Sequence, residues 1–252
     1  MNTESSVKEI ADLTRQGLQV EVEGKTYTST PMRPVFYDPR PAPLELRSLT
    51  GLLDYLRDNI DGCDLSKCAI HVKSHEEVAL ITDVRGISNE RNTPAVALLD
   101  DVERYQFGKW IGHEEFCIQL RSRFVPTDDL ARVLAIVGKI DVESSVKLED
   151  DGVSQHVTVK KGISGGLKEE APAPVTVSLQ PYRTFVEIEQ PVSAFLFRIR
   201  QTDEGVKCAL FEADGGRWRG TARASIRSWF ARAFSSDTAG GAQMEELPAI
   251  IA

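Results

Sequence analysis

The spacing of apolar residues changes period repeatedly along this chain, and each change marks an element. In SSVKEIADLTRQ (5–16), Val7, Ile10, Ala11 and Leu13 recur at helical spacing behind a serine cap, and Gly17 stops the run. LQVEVEGKTYTST (18–30) alternates on both sides of Glu23-Gly24, which predicts a β-hairpin. From Pro31 to Pro43 the prolines remove backbone donors, so this stretch reads as an extended connector. Behind Ser48, residues Leu49, Leu52, Leu53 and Leu56 share one helical face that ends at Asn59, Asp61 and Gly62. CAIHVK (68–73), EVALITDV (77–84) and AVALLD (95–100) are strand-like, and the first two form a hairpin across Ser74 and His75.

Residues 113–140 predict two consecutive helices, HEEFCIQLRSRF and TDDLARVLAIVGKI, parted by Pro126. Thr127 caps the second, and Asp128 and Asp129 sit in its first turn. ESSVKLE and VSQHVTVKK alternate around Asp151-Gly152, a strong hairpin signal. GISGGLKEEAPAP (162–174) reads as a flexible loop, since glycine, proline and like charges leave nothing to pack. VTVSLQPYRTFVEIEQP and SAFLFRIRQ predict further strands, with Pro181 and Pro191 at ends or edges. SAFLFRIRQ and VKCALFEA make a hairpin over Asp203, Glu204 and Gly205 that turns Phe195, Phe197, Ile199, Val206, Cys208 and Leu210 to the core. A helix over about 221–234 follows, with Ile226, Trp229, Phe230 and Ala233 along one face, and SSDTAGGAQMEELPAIIA reads as a tail.

No repeat of fixed period and no parallel-sheet alternation emerges, so the expected class is α+β: antiparallel sheets built from hairpins, with four or five helices. The expected divisions are an N-terminal segment over 1–94, a core over 95–234 and a C-terminal tail over 235–252. Hydrophobic residues make up 41% and charged residues 27%, the balance of a chain that folds. The N-terminus is polar and no window approaches 18 apolar residues, which predicts a cytoplasmic protein without a membrane segment. Cys63, Cys68, Cys117 and Cys208 are few and irregularly spaced, so reduced thiols are expected.

Charge is unevenly distributed. Residues 1–150 carry 18 basic and 26 acidic side chains, residues 151–252 carry 12 of each, and the net charge is -8. An acidic whole disfavours indiscriminate nucleic-acid binding, which phosphate neutralisation drives. The segment 214–234 runs against that trend with five arginines and one aspartate. Within it, Arg219, Arg223 and Arg227 recur every four residues and form one stripe if the segment is helical. Guanidinium groups in such a row can grip phosphates in pairs, together with Arg217, and an exposed Trp218 can stack on a base. The competing reading is that these arginines pair with carboxylates inside the chain or across a subunit boundary. Arg183, with Lys160 and Lys161, extends the patch only if their strands pack nearby.

Other chemistry finds little support. Neither a G-x-x-x-x-G-K-S/T loop nor a G-x-G-x-x-G between strand and helix is present. Cys63, Cys68, His71 and His75 have no second ligand pair at finger-like spacing, so structural cysteines are expected and no metal or cofactor. His113, Glu114 and Glu115 read as the start of a helix, and His156 has no nucleophile motif beside it. Glu23 and Lys25 in EVEGK fall at a hairpin turn, with only Asp12 as the preceding aspartate for a nuclease centre. No catalytic residue is assigned.

The ordered series FGKWIGHEEFCIQLRSRFVPTDDLARVLAIVGKI, DDGVSQHVTVKKGI, VSLQPYRTFVEIEQPVSAFLFRIR and CALFEADGGRWR resembles the YfdQ-like group of uncharacterised proteins of tailed phages and prophages, over roughly residues 95–232. The resemblance implies a phage-encoded accessory product and carries no catalytic residues. The expected function is therefore a non-enzymatic accessory protein that self-associates into a homo-oligomer through sheet edges and the apolar end LPAIIA. The alternative is a nucleic-acid or nucleotide-binding module that uses Arg217, Trp218, Arg219, Arg223 and Arg227.

Overall fold

The computed structural model describes residues 19–22, 25–28, 42–85, 90–138, 145–150, 155–160, 169–173, 176–239 and 247–252. The chain divides into two units, 1–41 and 42–252. In the first, β1 (Gln19–Val22) and β2 (Lys25–Thr28) pair antiparallel with Val22 opposite Lys25, the two-residue connection that Glu23-Gly24 predicts. The helix expected over 5–16 and most of the proline-rich connector lie outside the described residues.

In the second unit, β3 (Leu44–Leu46) leads into α1 (Leu49–Asp58). Ser48 caps this helix by accepting the Gly51 N–H on its hydroxyl at 3.0 Å. Asn59 ends it in the left-handed region at φ 42°, and its side chain then clamps the turn by donating to the Cys63 carbonyl and accepting the Cys63 N–H. The chain continues through β4 (Ala69–Val72), β5 (Glu77–Ile81), a small ladder of β6 (Val84–Arg85) with β7 (Glu90–Arg91), and β8 (Ala95–Leu98). β4, β5 and β8 are antiparallel neighbours, while β3 joins β8 in parallel. The chain therefore does not divide at residue 94, as the sequence suggested, because β8 is bonded on both sides to strands that precede it.

β9 (Ile111–Gly112) opens the second sheet and runs into α2 (His113–Arg123) and α3 (Asp128–Val137). Thr127 caps α3 as expected, accepting the Leu130 N–H at 3.2 Å. Asp129 in its first turn also accepts the Ser178 N–H at 2.9 Å, which fixes the helix to the sheet edge. β10 (Ser145–Asp150), β11 (Gln155–Lys160) and β12 (Glu169–Ala173) form a three-stranded antiparallel sheet. The hairpin around Asp151-Gly152 is thus present, although its turn lies outside the described residues. β12 corrects the loop reading at Glu169–Ala173, within the stretch 162–174: its Pro172 is tolerated because an edge strand has one side free of ladder bonds.

β13 (Thr176–Leu179), β14 (Ser193–Thr202), β15 (Gly205–Glu212) and β9 build the four-stranded sheet in that order. Thr202 faces Gly205 across Asp203-Glu204, and Gly205 takes φ 107°, which the turn requires. α4 (Trp218–Ala239) follows, longer at both ends than the periodicity predicts. β16 (Ala249–Ile251) then joins β4 in parallel and completes a five-stranded sheet of order β16-β4-β5-β8-β3. The apolar end expected to dock on a neighbour therefore lies on its own sheet, where its backbone finds the edge groups of β4. The fold is α+β, with four helices among the described residues and two mostly antiparallel sheets of five and four strands.

Two hydrophobic interiors result among the described residues. One buries Leu49, Leu52, Leu53 and Leu56 of α1 and Ile226, Phe230 and Phe234 of α4 with Ile70, Val78 and Leu80 of the five-stranded sheet. The other buries Phe116 and Leu120 of α2 and Val133 and Val137 of α3 with Phe195, Phe197, Ile199, Val206, Cys208 and Leu210, the β14–β15 positions that alternation points inward. FVEIE does not form the strand its alternation predicts. Residues 180–192 instead make an irregular strap between β13 and β14, because the Gln190 side chain satisfies its backbone. The Gln190 amide oxygen accepts the N–H groups of Arg183 and Thr184, and its amide nitrogen donates to the carbonyls of Thr184 and Phe185. Phe185 and Ile188 of the strap are buried in the interior of the other sheet.

Phe116→Ala and Phe230→Ala, one from each interior, are expected to cost about 3–5 kcal/mol each, read as lowered midpoints in urea unfolding.

Candidate anion-binding face

α4 begins after a turn that Asp214 closes. Asp214 accepts the Gly216 N–H at 2.9 Å and the backbone N–H of Trp218, while Gly216 adopts φ 78°. Burial alone would raise the Asp214 carboxyl. The Ser193 hydroxyl at 2.7 Å, the two backbone donors and the charge of Arg183 outweigh it and hold the group below the ordinary range.

From this start, Trp218, Ala222, Ile226, Phe230 and Phe234 face inward on successive turns, which leaves Arg217, Arg219, Arg223, Arg227 and Arg232 exposed. None of the five has a carboxylate within ion-pairing distance among the described residues. Arg219, Arg223 and Arg227 stand one turn apart, about 6 Å along the axis at 1.5 Å per residue. The arginine stripe read from the sequence is therefore brought together on one helix, without internal carboxylate partners among the described residues.

Trp218 corrects the sequence reading. Its ring is only 5% exposed and cannot stack on a base, because it is enclosed by other groups. The Arg183 guanidinium lies 3.7 Å from the indole centroid, that of Arg219 lies 4.8 Å away, and the His75 ring meets it edge-on at 4.5 Å. The indole thus acts as a platform that holds Arg219. Gly216 allows this placement, since a Cβ there would stand 2.6 Å from Arg219 Nη1.

Arg183 is likewise not a surface cation. It is 5% exposed, pairs with Glu212 at 2.9 Å and donates to the Ser193 hydroxyl, which in turn donates to Asp214. Burial pulls its pKa down to about 10 against the pull of Glu212 and Asp214, so it stays charged at neutral pH. Arg183 therefore does not extend the exposed patch. The Lys160 side chain and Lys161 lie outside the described residues. Sequence reasoning missed the roles of Ser193, Glu212 and Asp214 as its counter-groups. The only local signal was the aspartate before two glycines.

His75 sits at the same junction. Its Nε2 is 3.2 Å from Glu76 Oε1, and its carbonyl accepts the Thr184 hydroxyl at 2.7 Å. Burial pushes its pKa down, Glu76 opposes this, and the charges of Arg219 and Arg104 add to it. Ser193 is no nucleophile here: its hydroxyl is committed to Arg183 and Asp214 and it is buried. All four cysteines are free thiols, with Cys68 and Cys208 buried, and among the described residues no three His, Cys, Asp or Glu side chains converge as a metal site. His113 begins α2, with Glu114 and Glu115 in its first turn. The side chains of Lys25 and His156, like Glu23, lie outside what is described.

No protein-family model, curated protein or solved structure matches this chain. Among the described residues, no helix is long and apolar enough to cross a membrane.

A lowered histidine pKa means the unfolded chain binds the proton first, so stability falls as pH drops below the ordinary value of 6.5. Urea unfolding at about pH 7.5 and about pH 5.5 is expected to show this loss, and His75→Gln to diminish it. Separately, Glu212→Ala leaves a buried guanidinium without its ion pair and is expected to cost about 3 kcal/mol in the same assay at neutral pH.

Proposed function

We propose that this chain is a non-enzymatic binding protein that takes hold of phosphate groups of nucleic acid or a nucleotide with the outer face of α4. Arg217, Arg219, Arg223 and Arg227 are the contacting residues, and Trp218 is a positioning residue for Arg219. One observation carries the reading: four exposed arginines on one helix, with Arg217 just before it, have no carboxylate partner among the described residues of a protein whose net charge is -8. Desolvating a guanidinium that already has an ion pair costs that pair, whereas an unpaired one offers all its donors to a phosphate. The resemblance to YfdQ-like phage proteins supports a role as an accessory product in the cytoplasm of a bacterial host.

The test is fluorescence anisotropy with a labelled single-stranded oligonucleotide at stepped salt. Binding is expected to weaken with salt, with a log–log slope of about -2 for three neutralised phosphates. Arg223→Glu with Arg227→Glu is expected to weaken it at least about tenfold and flatten the slope. Absence of binding at low salt by the folded protein overturns the proposal.

A second reading, self-association, is favoured by the short outer strands β3 and β16 of the five-stranded sheet, where Leu44 and Ile251 are 48% and 50% exposed. Sedimentation at micromolar concentration is expected to give a species heavier than 27.9 kDa, and a strict monomer removes this reading.

A further inference from the structure

Away from α4, a cavity of about 310 Å³ opens where the strap, the segment after β8 and the end of α2 meet. That volume is at the small end of the range that binds metabolites, roughly 300–1,000 Å³. Four arginines line it, and they suggest an anion site until the charges are matched one by one. Arg47 pairs with Glu45 at 3.3 Å, Arg104 with Glu76, Arg123 with Glu103 at 2.8 Å, and Arg183 with Glu212 at 2.9 Å. Each guanidinium in the wall is thereby neutralised by its own carboxylate.

Two lining carboxylates are left over, Asp100 and Glu187. The Asp100 side chain has no hydrogen-bond or ion-pair partner among the described residues. Glu187 is held in place by Oε1, which accepts the Thr50 N–H in the first turn of α1 at 3.1 Å. Its Oε2 is shut away from water with no hydrogen-bond partner. A carboxylate oxygen left so poorly solvated gives the wall a negative potential that a cation relieves. The remaining lining suits the body of such a ligand. Leu99, Val102, Phe185 and Val186 are apolar, and the ring of Tyr182, 42% exposed, offers a π-face to an ammonium group.

We propose that this cavity binds a small organic cation, a protonated primary amine or guanidine on an apolar body, with its charge between Asp100 and Glu187 and its body against Tyr182 and Val186. The site shares no contacting residue with the α4 face, so it stands or falls independently of the phosphate reading.

Isothermal titration of the full chain with 2-phenylethylamine and with agmatine tests it, with succinate and inorganic phosphate as anionic counterparts. Saturable amine binding at one site is expected, weakened about tenfold or more by Asp100→Asn and by Glu187→Gln. Glu187→Gln keeps an oxygen for the Thr50 N–H, and Asp100 is exposed, so both variants should fold; circular dichroism checks this. Arg223→Glu with Arg227→Glu should leave amine binding unchanged. The proposal is overturned if neither amine binds at millimolar concentration, if binding survives both carboxylate substitutions, or if succinate or phosphate competes for the cavity in preference to the amines.

Discussion

The guanidinium of Arg183 is the point on which the arrangement of residues 180–239 depends. A charge that is 95% withdrawn from water is tolerable only if its partners are in place, and they arrive from four parts of the chain. Glu212 ends β15, Ser193 begins β14, Asp214 closes the turn before α4, and Trp218 is the first residue of that helix. Any shift of the strap, the hairpin or the helix start strands the charge. The same cluster orients the surface: Trp218, clamped beneath Arg183, supports Arg219, and Asp214 sets the helical phase that carries Arg223 and Arg227 outward.

Local features of the sequence were legible where their cause is local. The leucine stripe behind Ser48, the Thr127 cap, and the alternation of Phe195, Phe197 and Ile199 opposite Cys208 and Leu210 all appear as read, since capping and period involve residues a few positions apart. The errors lie where a distant group decides. FVEIE alternates like a strand, yet the Gln190 amide satisfies the backbone that a ladder would otherwise have to serve. EEAPA looks like a loop and becomes β12 because β11 offers an edge. Trp218 looks like a surface aromatic among arginines and is buried because Arg183, remote in sequence, covers it. The arginine stripe itself was visible from its spacing, whereas the four matched ion pairs around the cavity, and the two carboxylates they leave over, exist only through tertiary contact.

Arginine has two distinct uses in this molecule. Around the cavity Arg104, Arg123 and Arg183 are each matched with a carboxylate, and the pairs secure loops that regular hydrogen bonding leaves unsupported. Along α4 the guanidinium groups are unmatched and stay in water, where they contribute little to holding the fold. A protein with more acidic than basic residues could neutralise that helix from within; among the described residues it does not.

The strap has a consequence for how the molecule comes apart. It leaves one sheet between β13 and β14 and plants Phe185 and Ile188 in the interior of the other, so the five-stranded layer is finished only with side chains borrowed from its neighbour. Displacing the strap from the four-stranded layer pulls the aromatic plug from the other, and the two should melt in a single cooperative step. Residues 42–98, made alone, would not own a complete interior.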